Sequence, residues 1–471
     1  MPAPEAHQEV GMSEHGESSG IEGVLVRRGD AGYETTWASE LWNDLKPERY
    51  PDVIVRAASE RDVPQALKLA RSRGLRVAVR AGGHNWWGSP LRDGGMLLDL
   101  SGLRRWEIDD NSATATVQPG AVGSEFAAEL ARRDLAFPAG HCPSVALGGY
   151  LLSGGLGWNS GLWGPGCASV QEITAVTAAG EAVRCTEDEH PGLFWAARGA
   201  GPGFFAVVTG FRLRLYPRPA ALATTSYVFP LAAVEPVARW AVETARELSA
   251  NVELSFLLAA ADPSLTVDRP HAKVVTVAAT AFATSRPEAV RALRPLHSCP
   301  LAERPLSRQL DEPTSLAALY DAARELWPER RRYAADTLWS QEDYASLLAK
   351  LGDALTTAPS AKSIILAPVS PVSQEGELLR NMAFSVLGES YVVPYAIWDD
   401  PARDDVNIAW LREAMHTLQP LGTGHYIAEA DLTADPSRAQ RSFTAPDWER
   451  LRSLRAEYDP QGLFFSYPDG S

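Results

Sequence analysis

At 471 residues the chain exceeds what one hydrophobic core usually supports, so two interleaved domains are expected. Hydrophobic residues make up 45% and charged residues 22%, as in an ordinary globular protein, and a formal charge of -15 argues against nucleic acid or an anionic membrane surface as a partner. No stretch approaches the roughly 18 apolar residues of a membrane span, and the polar opening MPAPEAHQEVGMSEHGESSG, read as a disordered tail over residues 1–20, lacks the apolar region of a signal peptide.

Beyond the tail, Pro51 to Ala58 reads as a β-branched strand, and Ser59 as the N-cap of a helix that carries Val63, Leu67 and Ala70 on one face and stops at Gly74. A second strand, Arg76 to Arg80, runs directly into a glycine turn at Ala81 to His84. Met96 to Leu100, Trp106 to Asp109 and Ala113 to Gln118 read as short strands, and Ser124 to Arg132 as a helix. The segment Gly140 to Gly166 is glycine-rich and apolar, which predicts backbone packed closely against something flat. Strands return at Val170 to Ala178 and Phe204 to Tyr216 before the Pro217-Arg218-Pro219 cluster. From Ala220 onwards, strand-like runs (Val252 to Leu258, Lys273 to Phe282, Ser363 to Pro368, Tyr391 to Trp398) are separated by long helical stretches, the texture of an α+β domain. Trp448 to Phe465 reads as a helix ending at Tyr458-Asp459-Pro460.

Several chemistries lack their residues. There is no P-loop, Gly-x-Ser-x-Gly is absent, and the histidines have no metal-ligand spacing. Gly199 to Gly203 evokes a dinucleotide fingerprint, but Pro202 interrupts it and a strand follows. The cysteines Cys142, Cys167, Cys185 and Cys299 form no C-x-x-C pair, which fits a reducing, cytoplasmic setting, although an actively exported chain is compatible with the same sequence.

Two glycine loops each carry a reactive side chain. In Arg80-Ala81-Gly82-Gly83-His84-Asn85, consecutive glycines let backbone N–H groups point inward as a nest for a pyrophosphate, and His84 is either a ligand of that group or a hydrogen-bond partner. In Gly140 to Tyr150 the sequence G-H-C-P-S-V-A-L-G-G-Y sets Cys142 among small residues, where it is either a reactive thiol or a small buried hydrophobe.

Taken together with L-F-W-A-A-R-G-A-G at Leu193 to Gly201, F-F-A-V-V-T at Phe204 to Thr209 and Y-D-P-Q-G-L-F at Tyr458 to Phe464, these loops resemble the berberine bridge enzyme-like branch of the vanillyl alcohol oxidase/p-cresol methylhydroxylase superfamily. The resemblance covers most of the chain and is strongest from Arg56 to Tyr216 and from Gly424 to Phe465. It implies a two-domain α+β fold: an FAD-binding domain over residues 47–218, a substrate domain of a β-sheet covered by helices over 219–423, and a C-terminal segment, 424–471, returning to the first domain. It implies FAD bonded through His84 to the flavin 8α-methyl group and through Cys142 to ring carbon C6. The expected lining is Arg80, Ala81, Gly82, Gly83 and Asn85 of the first loop, with Gly140, His141, Ser144, Val145, Gly148, Gly149, Gly154, Gly155 and Gly157 of the second. Val207, on a strand expected near the adenine, and Tyr458 complete it.

The family commonly has glycine at the position of Ala146 and often histidine at that of Tyr150. In related enzymes the residue three past the linking cysteine decides whether dioxygen reaches the flavin; here it is Val145, the open version. The family's Tyr-x-Asn motif aligns with Tyr426-Ile427-Ala428, so its asparagine is missing. Tyr426 is the first candidate for the proton acceptor, provided a cation or hydrogen bond stabilises its phenolate; Glu429, read as lying on a strand, and Tyr391 follow. Tyr391 and Tyr395 share one face of a strand, and Trp86 and Trp87 are either surface packing or a pocket wall. The resulting expectation is an oxidase taking hydride from an alcohol or amine carbon of a small molecule and reducing dioxygen to hydrogen peroxide; a dehydrogenase, an oxidative cyclase and a non-catalytic flavin carrier are the alternatives.

Overall fold

The computed structural model describes residues 20–265, 272–301, 304–372 and 379–468, so the tail read from residues 1–20 lies outside the described residues except for Gly20. The first sheet contains β1 (Val24–Arg27), β2 (Val53–Arg56), β3 (Val77–Arg80) and β4 (Met96–Asp99) in the order β1-β2-β4-β3, with β2 and β3 both parallel to β4. Val53, Ile54 and Val55 are all buried, as expected of a strand covered on both faces. The connecting helix Asp62–Ser72 ends beside Gly74, whose φ of +64° allows the left-handed turn. Ser59 does not cap that helix. Instead the buried Asp62 carboxylate accepts hydrogen bonds from the backbone N–H groups of Glu22 (2.6 Å), Gly23 (3.1 Å) and Ala58 (2.8 Å). One acid thus orders the helix start and the approach to β1.

The next strands are β5 (Trp106–Asp109), β6 (Thr114–Val117), β7 (Leu135–Ala136), β8 (Val170–Val176), β9 (Ala182–Cys185), β10 (Val207–Arg214) and β11 (Tyr216–Pro217). Five of them form an antiparallel sheet in the order β5-β6-β10-β8-β9, and β7 pairs with β11. The strand expected from Phe204 begins three residues later, because Gly201–Gly203 forms a short 3-10 turn that hands over through Phe204 to Ala206.

A nine-stranded antiparallel sheet follows: β12 (Ala221–Pro230), β13 (Val252–Ala260), β14 (Lys273–Ala283), β15 (Ser307–Thr314), β16 (Arg332–Ala335), β17 (Leu338–Ser340), β18 (Ile364–Val369), β19 (Ser390–Trp398) and β20 (Gly422–Gly424). Its order is β15-β12-β14-β13-β18-β19-β17-β20, with β16 also paired to β19. Alternate residues of β12 are buried, and Ala223, Tyr227 and Phe229 meet helices Val234–Ala245, Tyr344–Thr356 and Asp404–Leu418 in one core. A second core joins residues between Val53 and Leu215 with Ile427, Phe443, Trp448, Leu463 and Tyr467 from the C-terminal part. The terminal helix starts at Ala445, where the Thr444 side chain accepts from Asp447 N–H, rather than at Trp448. Between the two cores lies an aromatic cluster that includes Tyr333, Trp339, Tyr391, Tyr395 and Tyr426. No helix among the described residues is long and apolar enough to cross a membrane.

Candidate active site

A cavity of about 960 Å³ runs from the first glycine loop across the open face of the nine-stranded sheet. Its first wall follows directly from β3. Arg80 ends that strand with Nη1 2.8 Å from Asp99 Oδ1 and Nε donating to the Glu40 carbonyl at 3.0 Å, which pins the loop that follows. Gly83 has a φ of +72°, and a Cβ there would lie 2.4 Å from the Glu40 carbonyl oxygen, so only glycine fits. Among the described residues, no acceptor takes the backbone N–H groups of Gly82, Gly83, His84 or Asn85. Four consecutive free donors on a cavity wall form an anion-binding nest, the feature a pyrophosphate-bearing cofactor requires.

His84 stacks on Trp42 with ring centroids 4.8 Å apart. Burial, aided by the Arg80 guanidinium, pushes its pKa down to about 3, so the imidazole is neutral and nucleophilic at ordinary pH. The Trp42 N–H donates to the Gly83 carbonyl (3.0 Å), and Asn43 Nδ2 donates to the carbonyls of Trp86 (3.2 Å) and Tyr333 (2.8 Å). Residues 42–43 therefore strap the His84 loop to β16.

The second loop abuts the first: a Cβ on Gly82 would lie 2.9 Å from that of Ala146. Cys142 lines the cavity with Sγ 3.7 Å from Ser144 Oγ, and burial raises its thiol pKa. Val145, Gly148 and Gly149 line the cavity as well, as do Gly140, His141 and Gly157. The flat object behind these glycines is a side chain of the same loop. Cβ atoms added at Gly155 and Gly166 would each lie 2.6 Å from the Tyr150 ring, and one at Gly140 3.2 Å from it. The Tyr150 hydroxyl lies against Gly157 and donates to the Pro138 carbonyl.

Five expected lining residues are placed elsewhere. Ser144 supports from behind, accepting a hydrogen bond from His84 through its backbone and contacting Cys142 through its hydroxyl. Gly154 faces the Phe384 ring, and Gly155 donates its N–H to the Tyr426 hydroxyl at 3.0 Å. Val207 is wholly buried in the core that spans Val53 to Leu215, whereas Phe204, Ala206 and Val208 line the cavity, so the strand's parity puts position 207 on the opposite face. Tyr458 stacks on Phe205, outside the cavity.

The far wall carries an acid. Glu429 sits in a turn closed by its N–H donating to the Tyr426 carbonyl (3.0 Å), not on a strand. Its carboxylate accepts from Tyr391 Oη (3.0 Å), Tyr395 Oη (3.0 Å) and Trp86 Nε1 (3.3 Å). Burial raises its pKa, and the three donors offset part of that rise. Trp86 is thus pocket wall, while Trp87 is buried in the core that spans Val53 to Leu215, beneath Arg49 and Arg92. Tyr426 does not have the cation a phenolate needs: burial and Glu429 drive its pKa upward, and the Gly155 N–H only partly compensates. Tyr391 is held up in the same way, as donor to Glu429.

Two residues that sequence reasoning missed hold this turn. The Asp336-Thr337 pair, between β16 and β17, interrupts an apolar run, and that polar interruption was the only available signal. Asp336 Oδ1 accepts from Asp431 N–H (3.1 Å), Thr337 Oγ1 from Tyr426 N–H (2.9 Å), and the Thr337 carbonyl from His425 Nδ1 (2.6 Å). Arg438, 2.5 Å from Asp336 Oδ2 and 3.0 Å from the Asp431 carbonyl, closes the network.

Comparison with known proteins agrees with this architecture. An FAD binding domain family matches residues 51–186. The FAD-linked oxidoreductase nodO of Hypoxylon pulicicidum is 30% identical over 424 residues, covering 89% of this chain and 91% of the relative. In fold, 6-hydroxy-D-nicotine oxidase from Arthrobacter nicotinovorans superposes with a TM-score of 0.82 at 22% identity, covering 96% of this chain and 99% of that one. Berberine bridge enzyme from Eschscholzia californica gives 0.77 at 19% identity, covering 95% and 96% respectively. The anion nest, the two abutting loops and this full-length kinship lead to one conclusion: the chain belongs to the FAD-linked oxidoreductases of the berberine bridge enzyme-like kind, and it is an FAD-dependent enzyme with the vanillyl alcohol oxidase/p-cresol methylhydroxylase type of fold.

Proposed function

We propose that the enzyme is an oxidase that holds FAD covalently through His84 and Cys142 and removes hydride from a carbon bearing a hydroxyl or amino group. The two loops bearing these residues would hold FAD, which would supply the hydride-accepting and dioxygen-reducing chemistry. The observation that carries the reading is the convergence of Tyr391, Tyr395 and Trp86 on Glu429, two residues of chain away from His84 at Trp86.

Glu429, rather than Tyr426, takes the substrate proton. A carboxylate whose pKa burial raises above the ordinary carboxylate range is a better proton acceptor than a phenol that burial and Glu429 hold protonated. Tyr391 and Tyr395 orient the acid, and Tyr426, fixed on the Gly155 N–H, shapes the wall beside it. Val145 supports the oxidase reading, since a small side chain on the cavity wall leaves room for dioxygen. His84 is neutral, as attachment at the 8α position requires.

Acid precipitation should leave the yellow colour in the pellet, and mass spectrometry should find flavin mass on the peptides bearing His84 and Cys142. Under anaerobic stopped flow, Glu429→Gln should slow flavin reduction about 10²–10⁴-fold, the usual contribution of a general base, whereas Tyr426→Phe should slow it far less. The reverse ranking would return the base to Tyr426, and colour wholly in the supernatant would rule out attachment.

A further inference from the structure

The cavity is electrostatically divided. Beside the anion nest it is lined by Arg80 and Arg92. Across the nine-stranded sheet the charged lining residues are Glu253, Asp262, Glu325 and Glu429, with no lysine, arginine or histidine among the described lining residues from Thr224 onwards. Glu253 is engaged by the Asn159 N–H and lies 3.5 Å from His141 Nε2, while Asp262 and Glu325 are solvent-exposed. Glu429 differs from all three: it is held inside, and every hydrogen bond it accepts comes from a neutral donor. The rings around it are Trp86, Tyr395 and Trp327, meeting edge to face at 5.6 and 5.7 Å. An internal carboxylate whose hydrogen bonds all come from neutral donors, with His141 as the charged group that acts on it from the cavity wall, favours a cation arriving from outside.

We propose that the substrate is an amine bound as its ammonium cation, with Glu429 as its counter-charge and as the acceptor of its proton; this rests on the oxidase reading above. Phosphorylated and carboxylated groups are disfavoured at the Glu429 end by like-charge repulsion. In the step, the ammonium N–H bond breaks and its proton passes to a Glu429 oxygen. The nitrogen lone pair then forms a C=N bond while the adjacent C–H bond breaks, and hydride, with both electrons, leaves for the flavin. The product iminium is cationic again, and water converts it to a carbonyl compound and an amine.

The test is equilibrium binding to the flavin-loaded enzyme, read by perturbation of flavin absorbance. The probes are benzyltrimethylammonium and its neutral isostere neopentylbenzene, neither of which carries an N–H to lose. The cation should bind about tenfold or more tightly than the isostere, Glu429→Gln should erase the preference, and Glu325→Gln at the exposed rim should keep most of it. Equal binding of the two probes, or a preference unchanged by Glu429→Gln, would overturn the proposal. If that variant does not hold flavin, benzylsulfonate decides on the wild type, and an anion binding as well as the cation is equally fatal. Flavin bleaching by neutral alcohols without any cation preference would sink the amine assignment and leave the oxidase reading intact; a cation preference without flavin reduction by any amine would do the opposite.

Discussion

The buried pair Asp336–Arg438 offers the sharpest test of how the site is held. Asp336 is 1% exposed and Arg438 6% exposed, and both reach the turn that presents Glu429. Replacing one partner leaves the other charge buried and unpaired, at a cost of about 3–5 kcal/mol. Asp336→Asn keeps one carbonyl oxygen for the Thr337 and Asp431 N–H groups, so its loss isolates the charge. Arg438→Met retains much of the volume and removes Nε, a buried donor that has no partner in the native chain. Each single variant should therefore lose about 3–5 kcal/mol, while the double variant should fall well short of the sum, because neither charge remains. Thermal midpoints of the flavin-loaded proteins, taken at one scan rate, supply the comparison, and flavin reduction rates should follow the same ranking. A double variant as damaged as the two singles combined would refute the assignment of a coupled pair.

Thr337→Val should cost about 1–3 kcal/mol by orphaning the buried Tyr426 N–H, and Thr337→Ser should recover stability and reduction rate together; slow reduction in both would show that the hydroxyl is not the agent. Gly199 has a φ of +139°, and a Cβ there would lie 1.9 Å from the Phe384 nitrogen, so Gly199→Ala should cost more than about 4 kcal/mol and yield little soluble protein. Trp42→Ala should leave part of the flavin unattached, measured as colour released on acid precipitation, because the imidazole loses the ring it stacks on; full retention would count against the strap. His425, held to a pKa of about 3, stays neutral while the unfolded chain is protonated below pH 6.5. It therefore withdraws stability as pH falls from 6.5 towards 3, and His425→Asn should flatten that limb of the thermal midpoint profile.

Where one local rule governs, the sequence was readable. The β-branched run at Val53 to Val55, the glycine stop at Gly74 and the strand running into Gly82-Gly83 are all properties of a few adjacent residues. The same holds for the two loops bearing His84 and Cys142, since glycines at a cavity wall follow from backbone approach alone. The failures have a common origin in contacts distant along the chain. Val207 lies behind the cavity because the alternation of the strand turns Phe204, Ala206 and Val208 to the open side and position 207 into the core. The surroundings of Tyr426, with Glu429 beside it and the Gly155 N–H on its hydroxyl, are set by segments far away along the chain. Trp42 and Asn43 lie outside every motif and acquire meaning only because folding lays them across Gly83, Trp86 and Tyr333.

The ring of Tyr150 also constrains how this lineage can change. One aromatic surface takes up the space that side chains would need at Gly140, Gly155, Gly157 and Gly166. An exchange to histidine at this site therefore frees space at Gly140 and Gly166, where the ring is the neighbour a side chain would meet, while Gly155 is held by its φ of +87° and Gly157 by the Ala139 carbonyl oxygen 2.4 Å from a Cβ there. Side chains at Gly140 and Gly166 should be tolerated only together with a change at Tyr150, which makes these three residues a single inherited unit rather than three independent choices.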